Sequence, residues 1–284
     1  MRSAIGSLGW VARQCHPDLS YDVSRGQSVV SQAKLRDFKQ ANQAIEQAKE
    51  FADVGVIYHH DAINWDSVIV VTITDASFAQ ETVIEANGIE KPHRTQKEFA
   101  VLLVDPAIVK EKEAGAHLWT WKSLTDKRVR RATLQGEAHG LLSGADAGDR
   151  LRAIICDVKG HLMDMREWQR VCSENMRHIW LSDCELLVSH LKNPKNERLE
   201  NVRLSIGIQS LKQMLWEKAD VANLDELLPE DVCENAIRWI GTSCVLVDSS
   251  TKKMNPDVLI KLMQTGRLNL EAPVQSQMLK LRKS

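Results

Sequence analysis

The sequence contains no apolar run near the roughly 18 residues that a membrane-spanning helix requires. Its six cysteines form no Cys-x-x-Cys pair, and no two histidines stand at zinc-binding spacing behind cysteines, so a zinc site is not expected. The first residues lack the small-residue cleavage pattern of a signal peptide. These absences predict an intracellular protein, cytoplasmic or nuclear, without a membrane partner.

The chain also lacks an excess of either charge. Its 37 basic and 38 acidic side chains give a formal net charge of −1, so no global positive field attracts it to nucleic acid or to anionic lipid. Any contact with nucleic acid therefore has to come from a local patch. The 284 residues, 43% of them hydrophobic, are enough for one large domain or two small ones and exclude wholesale disorder.

The pattern of apolar residues predicts helices first and then a mixed α/β region. Residues 22–52 carry apolar side chains at helical spacing without proline, which indicates one or two helices. From Val68 onward, β-branched runs and helical stretches follow in the order βββαβαβα. The predicted strands are 68–74, 98–105, 117–122, 177–182 and 236–240. The predicted helices are 133–158, 197–218, and one from Ser243 toward Met263 that Pro256 interrupts.

Three acidic residues fall on apolar faces of these elements. Asp75 ends the first predicted strand in phase with Ile73, Glu137 lies four residues before Leu141 on one helical stripe, and Asp183 ends the fourth strand. A buried, unpaired carboxylate is costly, so each needs a cation, a set of donors or a raised pKa. A hard divalent cation such as Mg²⁺ satisfies several carboxylates at once, which favours a metal site.

A fourth candidate is Asp248, and each of the four acids also has an ordinary structural interpretation. Asp75 suits a turn at a strand end, and Glu137 suits an ion pair with Arg131. Asp183 suits the N-cap of the next helix, and Asp248 suits a first helical turn, where a negative charge complements the helix dipole. Taken singly these interpretations are adequate, but together they do not explain the arrangement of the four acids.

Four segments carry a resemblance to a known family. In chain order they are Thr-Asp-Ala-Ser-Phe-Ala at 74–79, Ala-Thr-Leu-Gln-Gly-Glu-Ala-His-Gly-Leu at 132–141, Trp-Leu-Ser-Asp-Cys at 180–184 and Leu-Val-Asp-Ser-Ser-Thr-Lys at 246–252. This ordered series resembles the ribonuclease H domain of copia-type long-terminal-repeat retrotransposon polyproteins. Residues 118–131 are similar to the tryptophan-lysine-serine strand and basic turn of that family. Residues 4–13 and 16–24 resemble the end of the reverse transcriptase of the same elements.

The resemblance implies a ribonuclease H-like fold, a mixed five-stranded sheet flanked by helices and preceded by a small helical segment. It divides the chain into a helical remnant of reverse transcriptase at residues 1–65, a ribonuclease H-like domain at 66–265 and a basic flexible tail at 266–284. It further implies an acidic tetrad that holds two Mg²⁺ or Mn²⁺ ions. Its members are Asp75, Glu137, Asp183 and Asp248.

The activity that the resemblance implies is two-metal-ion hydrolysis of the RNA strand of an RNA/DNA hybrid, without a small-molecule cofactor. Recognition is expected through 2′-hydroxyls and phosphates of the shallow minor groove. A cluster of cations before the glutamate helix supplies the candidates for phosphate contact, although it also suits a solvated turn. These cations are Lys122, Lys127, Arg128, Arg130 and Arg131.

The chain departs from the family in its polymerase region. No Tyr-x-Asp-Asp motif is present, so the polymerase active site is missing, and the polymerase domain of a parent polyprotein is a candidate partner. The chain begins within the reverse-transcriptase motif, which implies a truncated fragment. Two alternatives stay open. One is a catalytically silent retroelement remnant that binds nucleic acid or acts as a scaffold, and the other is a two-metal nuclease or transposase of this fold that acts on DNA.

Overall fold

In the computed structural model, a six-stranded mixed sheet carries helices on its faces. The structure describes residues 1–84, 89–126, 132–161, 164, 166–193, 199, 201–216, 235–251 and 255–271. The strands are β1 Ile69–Ile84, β2 Glu90–Val104, β3 Glu113–Thr125, β4 His178–Ser182, β5 Asn235–Trp239 and β6 Arg267–Asn269.

The strands lie in the order β5-β4-β1-β2-β3-β6 across the sheet. β1, β2, β3 and β6 pair antiparallel, whereas β4 pairs parallel with both β1 and β5. A parallel neighbour needs a long crossover, and here helices provide each crossover. The predicted ribonuclease H-like fold class, a mixed sheet flanked by helices, is therefore confirmed, with six strands in place of the expected five.

Within the described residues, three helices precede the sheet and five follow its first three strands. They are α1 Arg2–Gln14, α2 Ser20–Val29, α3 Leu35–Glu50, α4 Thr133–Val158, α5 Trp168–Asn175, α6 Glu185–Lys192, α7 Val202–Trp216 and α8 Asp257–Thr265. The first three share an apolar core around Leu8, Leu19 and Val23. This helical unit contacts the sheet through Trp121 on β3, whose Nε1 donates to the carbonyl of Ala12 at 2.8 Å.

The two faces of the sheet are buried by different elements. Alternate side chains of β1, among them Val71 and Ile73, pack with residues 245–247 and with α8 on one face. On the other face α4 lies close to β1 because it carries a glycine at the contact. A Cβ added to Gly144 would lie only 2.7 Å from Thr72 Cγ2. This close approach brings the first turns of α4 to the level of Asp75.

The structure corrects the prediction most clearly at three places. β1 does not end at residue 74 but continues to Ile84 in pairing with β2, so the interpretation of Asp75 as a turn residue is wrong. The helix predicted from Ser243 is instead two 3₁₀ turns, Thr242–Cys244 and Asp248–Ser250, followed by α8 after Pro256. Proline suits the start of a helix but not its interior, which explains the break.

The third difference concerns the end of the chain. The sequence assigns residues 266–284 to a flexible tail, but Arg267–Asn269 form β6 against residues 113–115 of β3. That part of the tail prediction is wrong, because backbone pairing orders a segment whose composition alone does not read as a strand. Residues 272–284 lie outside the described residues. Among the helices that the structure describes, no helix is long and apolar enough to cross a bilayer.

Candidate metal centre

Three of the four predicted acids converge in the structure. Asp75, Glu137 and Asp183 each offer a carboxylate oxygen, and these oxygens all lie within 4.8 Å of one another. Asp75 comes from β1, Glu137 from the first turns of α4, and Asp183 from the residue after β4. β1 and β4 are parallel neighbours with Thr74 opposite Ser182, so Asp75 and Asp183, the next residue in each segment, lie at the same level of the sheet.

Hydrogen bonds fix the carboxylates of Asp75 and Glu137. Thr251 Oγ1 donates to Asp75 Oδ2 at 2.5 Å, and the backbone N–H of Ala76 donates to Glu137 Oε1 at 3.3 Å. The second oxygen of Glu137 is buried and has no hydrogen-bond partner among the described residues. Asp183 does not cap the helix that follows it, because the N-cap of α6 is Cys184, so the capping interpretation is wrong.

Asp248 lies at the start of the 3₁₀ turn Asp248–Ser250 and is buried. Asp248 is thus a first-turn acid, as one interpretation predicts, but the element is a short 3₁₀ turn and not an α-helix. Its oxygens are not among those within 4.8 Å, but its charge acts on Glu137 and raises the pKa of that carboxyl. Thr251 Oγ1 also donates to the carbonyl of Asp248 at 3.1 Å, so one hydroxyl contacts both Asp75 and the Asp248 backbone.

Burial and repulsion both disfavour charge on Glu137. Burial raises its pKa most, and the charges of Asp75, Asp183 and Asp248 raise it further, so that it reaches about 9 despite the bond from Ala76. A carboxyl with such a pKa is protonated at neutral pH unless a cation approaches. The unpartnered oxygen of Glu137 is available to a cation. Divalent metal ions neutralise carboxylate clusters and prefer oxygen donors. The residues present therefore fit a hard divalent cation.

Sequence reasoning missed a fifth carboxyl beside this group. Glu98 on β2 is paired directly with Asp75 on β1 and is 1% exposed. Burial raises the pKa of Glu98 well above its usual range, the neighbouring Ser250 and Ser123 lower it in part, and the charge of Asp75 raises it. A signal was present in the sequence, because Glu98 shares strand parity with the apolar Ala100 and Leu102.

No family model matches the chain, and no curated protein matches it. Three solved structures are similar. The N-terminal RNase H domain of a Mycobacterium tuberculosis protein, solved as a fusion with maltose-binding protein, is 13% identical at a TM-score of 0.34 and covers 70% of this chain and 99% of its own. RNase H1 of Halobacterium salinarum is 12% identical at a TM-score of 0.30, with coverage of 61% and 86%.

The third structure is a foamy viral protease-reverse transcriptase in complex with an RNA/DNA hybrid. It is 7% identical to this chain at a TM-score of 0.31 and covers 81% of this chain and 28% of its own. Likenesses of this size assign no function, which has to come from the site itself.

The predicted phosphate contacts fall mostly outside the described residues. Lys127, Arg128, Arg130 and Arg131 all lie there, as does the proposed Arg131 partner of Glu137. Lys122 is exposed on β3, next to Ser123, which pairs with Glu98. Adjacent strands are about 4.8 Å apart, so Lys122 lies on the order of 10 Å from the backbone of Asp75 across the sheet. It lines a groove of about 440 Å³ between β3 and the first two helices.

The two tryptophans of β3 differ in their surroundings. Trp121 is partly buried and bonds to Ala12, whereas Trp119 is 44% exposed and lines the same groove as Lys122. Strand alternation alone would place both rings on one face, but the register of β3 against β2 shifts between Leu118 and Thr120, at Trp119.

Proposed function

We propose that this protein is a retroelement-derived ribonuclease H that hydrolyses the RNA strand of an RNA/DNA hybrid. The observation that carries the proposal is the convergence of Asp75, Glu137 and Asp183, whose ligand oxygens lie within 4.8 Å of one another although 61 or more residues separate Asp75 from the others. The order of the motifs, which resembles that of copia-type elements, supports this substrate over others.

Asp75, Glu137, Asp183 and Asp248 are the residues proposed to hold two Mg²⁺ or Mn²⁺ ions. When bound, such a pair supplies an activated water and stabilises the departing 3′ oxygen of a phosphodiester. The family resemblance implies that Asp75 would contact both ions. By the same resemblance, Glu137, through its unpartnered oxygen, and Asp183 would hold one ion, and Asp248 would hold the other.

Residues around the acids prepare the site for this chemistry. Thr251 fixes one oxygen of Asp75 through its hydroxyl. The Ala76 N–H fixes Glu137 in the same way. Lys122, Lys127, Arg128, Arg130 and Arg131 are proposed to contact phosphates of the hybrid. The polymerase domain of a parent polyprotein is proposed as a further partner that adds hybrid-binding surface.

The test is cleavage of a labelled RNA/DNA hybrid in millimolar Mg²⁺, with duplex DNA as the competing substrate. The unmodified protein is expected to cut the RNA strand. D75N, E137Q, D183N and D248N are each expected to lose at least about 100-fold in rate, since even groups behind metal ligands cost 10- to 100-fold. E185Q changes an exposed carboxylate two residues from Asp183 and is expected to keep full activity.

The outcomes separate the alternatives. No cleavage by the unmodified protein with hybrid binding intact would favour a silent binding module. Preferential cleavage of duplex DNA would favour a DNA nuclease of the same fold. Full activity of D75N would show that the acidic group takes no part in the reaction.

A further inference from the structure

A chain of hydrogen bonds leads from the helical unit of residues 2–50 toward the candidate metal centre. The residue that joins the helical unit to the sheet in this chain of bonds is Gln96 on β2, which is 1% exposed. Gln96 Nε2 donates to Ser24 Oγ on α2 at 2.9 Å and to Ser123 Oγ on β3 at 2.6 Å. Gln96 Oε1 accepts from Thr125 Oγ1 at 2.7 Å, so both ends of the amide are fixed.

The chain continues from β3 to the segment that carries Asp248. Ser123 Oγ donates to the backbone carbonyl of Ser250 at 2.7 Å. The next residue, Thr251, donates to Asp75 Oδ2 at 2.5 Å and to the carbonyl of Asp248 at 3.1 Å. Ser250 and Thr251 are fully buried. Ser123 is therefore one bond from the backbone that presents both Asp248 and the donor to Asp75.

This segment depends on side chains for its position. Residues 248–251 form a 3₁₀ turn and pair with no strand of the described sheet. A single 3₁₀ turn is short and has weaker hydrogen-bond geometry than a helix. The carbonyl of Ser250 is buried, and a buried carbonyl that loses its donor costs free energy. The Ser123 hydroxyl satisfies that carbonyl while accepting from Gln96, so it uses both of its hydrogen-bonding roles.

We propose that Ser123 is a positioning residue for the metal centre, and that it couples the docking of α2 to the placement of Asp248 and Asp75. The expected effect on metal binding rests on the proposed function, whereas the positioning role rests on the hydrogen bonds alone. Ser123 also hydrogen-bonds Glu98, which is not one of the four proposed metal ligands. It acts through the Ser250 carbonyl, and Ser24 and Gln96 extend its action to the helical unit.

The test uses the full chain and the variant S123A, which removes one hydroxyl from a half-buried strand position. Hydrogen exchange of the metal-free protein is measured at residues 248–251, where Thr251 N–H bonds to the carbonyl of Asp248. Exchange there is expected to become about 3- to 10-fold faster, the effect of losing one hydrogen bond. Mn²⁺ titration, followed by the loss of the free-ion electron paramagnetic resonance signal, is expected to show half-saturation shifted upward by a similar factor.

Two further variants sharpen the result. S123T keeps the hydroxyl and is expected to restore both measurements. S28A removes a hydroxyl that donates to the carbonyl of Arg25 within the same helical unit and is expected to change neither. Ser24 is half-buried, so S24A is expected to fold even if S123A does not. S24A is expected to accelerate exchange at 248–251, although the substitution lies in α2.

Failure of this inference is distinct from failure of the proposed function. Unchanged exchange at 248–251 in S123A, or in S24A if S123A does not fold, would overturn the positioning role even in an active nuclease. Faster exchange in a protein that neither binds Mn²⁺ nor cleaves hybrid would support the positioning role while rejecting the nuclease.

Discussion

Glu98 on β2 lies directly opposite Asp75 on β1, and directly opposed residues of an antiparallel pair share one face of the sheet. Two carboxyl groups in this relationship repel when both are ionised, and here both are buried. Glu137 adds a third buried carboxyl from α4. The cluster therefore stores unfavourable electrostatics that a bound cation would relieve.

The first prediction concerns the pH dependence of stability without metal. The folded-state pKa of Glu137 is raised to about 9, and that of Glu98 is also raised, mainly by burial. An unfolded glutamate releases its proton near its ordinary pKa, while the folded one keeps it. The free energy of unfolding is thus highest below the unfolded pKa and falls as pH rises toward 9, by up to about 1.4 kcal/mol per pH unit for each group.

Urea unfolding between about pH 7 and 8.5 measures this slope in the metal-free protein. E137Q and E98Q are each expected to make the slope shallower, since an amide has no proton to retain. The exposed E185Q variant is expected to keep the slope of the unmodified protein. An E137Q protein with an unaltered slope would contradict the raised pKa of Glu137.

Much of the fold follows from local sequence patterns. The bounds of α4 coincide with the predicted helix 133–158, because its long 3.6-residue periodicity runs without a proline. The parity of β1 places Ile73 and Asp75 on one face, as predicted. Asp75, Glu137 and Asp183 meet because Asp183 follows the end of β4 at the level of Asp75 on parallel β1, and α4 packs against β1.

The remaining features depend on partners that are distant in sequence. β1 extends to Ile84 only because β2 pairs with it, and three-residue β6 is a strand only through β3. Glu98 becomes part of the site through its register with Asp75, which strand parity alone does not fix. The turn at Asp248 is held by Ser123 and Thr251 rather than by helix propensity.

The second prediction concerns the close contact between α4 and β1. A Cβ at Gly144 would lie 2.7 Å from Thr72 Cγ2 and 2.9 Å from Thr74 Cγ2, so G144A forces α4 away from the sheet. Overpacking of this kind costs about 1–3 kcal/mol. Because Glu137 lies on the same helix, the variant is also expected to bind Mn²⁺ more weakly.

Gly207 provides the matched control on α7, where a Cβ would meet nothing within 4 Å. G207A is expected to stabilise the protein by about 0.5–1 kcal/mol, the ordinary gain of alanine over glycine in a helix. Chemical denaturation measures the free energy of unfolding of both variants, which is expected to fall for G144A and rise for G207A. Equal effects of G144A and G207A would show that the α4 contact is loose.

The third prediction concerns a buried polar group on the α4 side of the sheet. Asp149 Oδ1 lies 3.1 Å from both His178 Nδ1 and Arg152 Nη1, and His178 Nε2 lies 2.8 Å from Thr72 Oγ1. Burial alone raises the pKa of Asp149, but the hydrogen bond and charge of His178, together with Arg152, hold it below its usual range. The group thus connects α4, β1 and β4.

D149N keeps the size of the side chain but removes the charge that faces buried Arg152. Breaking a buried pair from one side costs about 3–5 kcal/mol, so D149N is expected to be among the most destabilising single changes outside the metal centre. D157N, an exposed change on the same helix, is expected to stay within about 0.5 kcal/mol of the unmodified protein. Thermal unfolding measures both, and equal stability of the two variants would contradict a structural role for Asp149.

The last prediction concerns the nucleic-acid contact at Lys122. Its exposed side chain stands one residue from Ser123, and its own row across the sheet runs through Phe99 to Thr74, the residue before Asp75. If it neutralises one phosphate of the hybrid, K122A weakens binding and lowers the slope of log K against log salt concentration by about 1. K49A, on the distant end of α3, is expected to leave the slope unchanged. Fluorescence anisotropy across a salt series measures this slope, with both proteins in the catalytically impaired D75N background. An equal slope for K122A and the parent would show that Lys122 does not contact a phosphate.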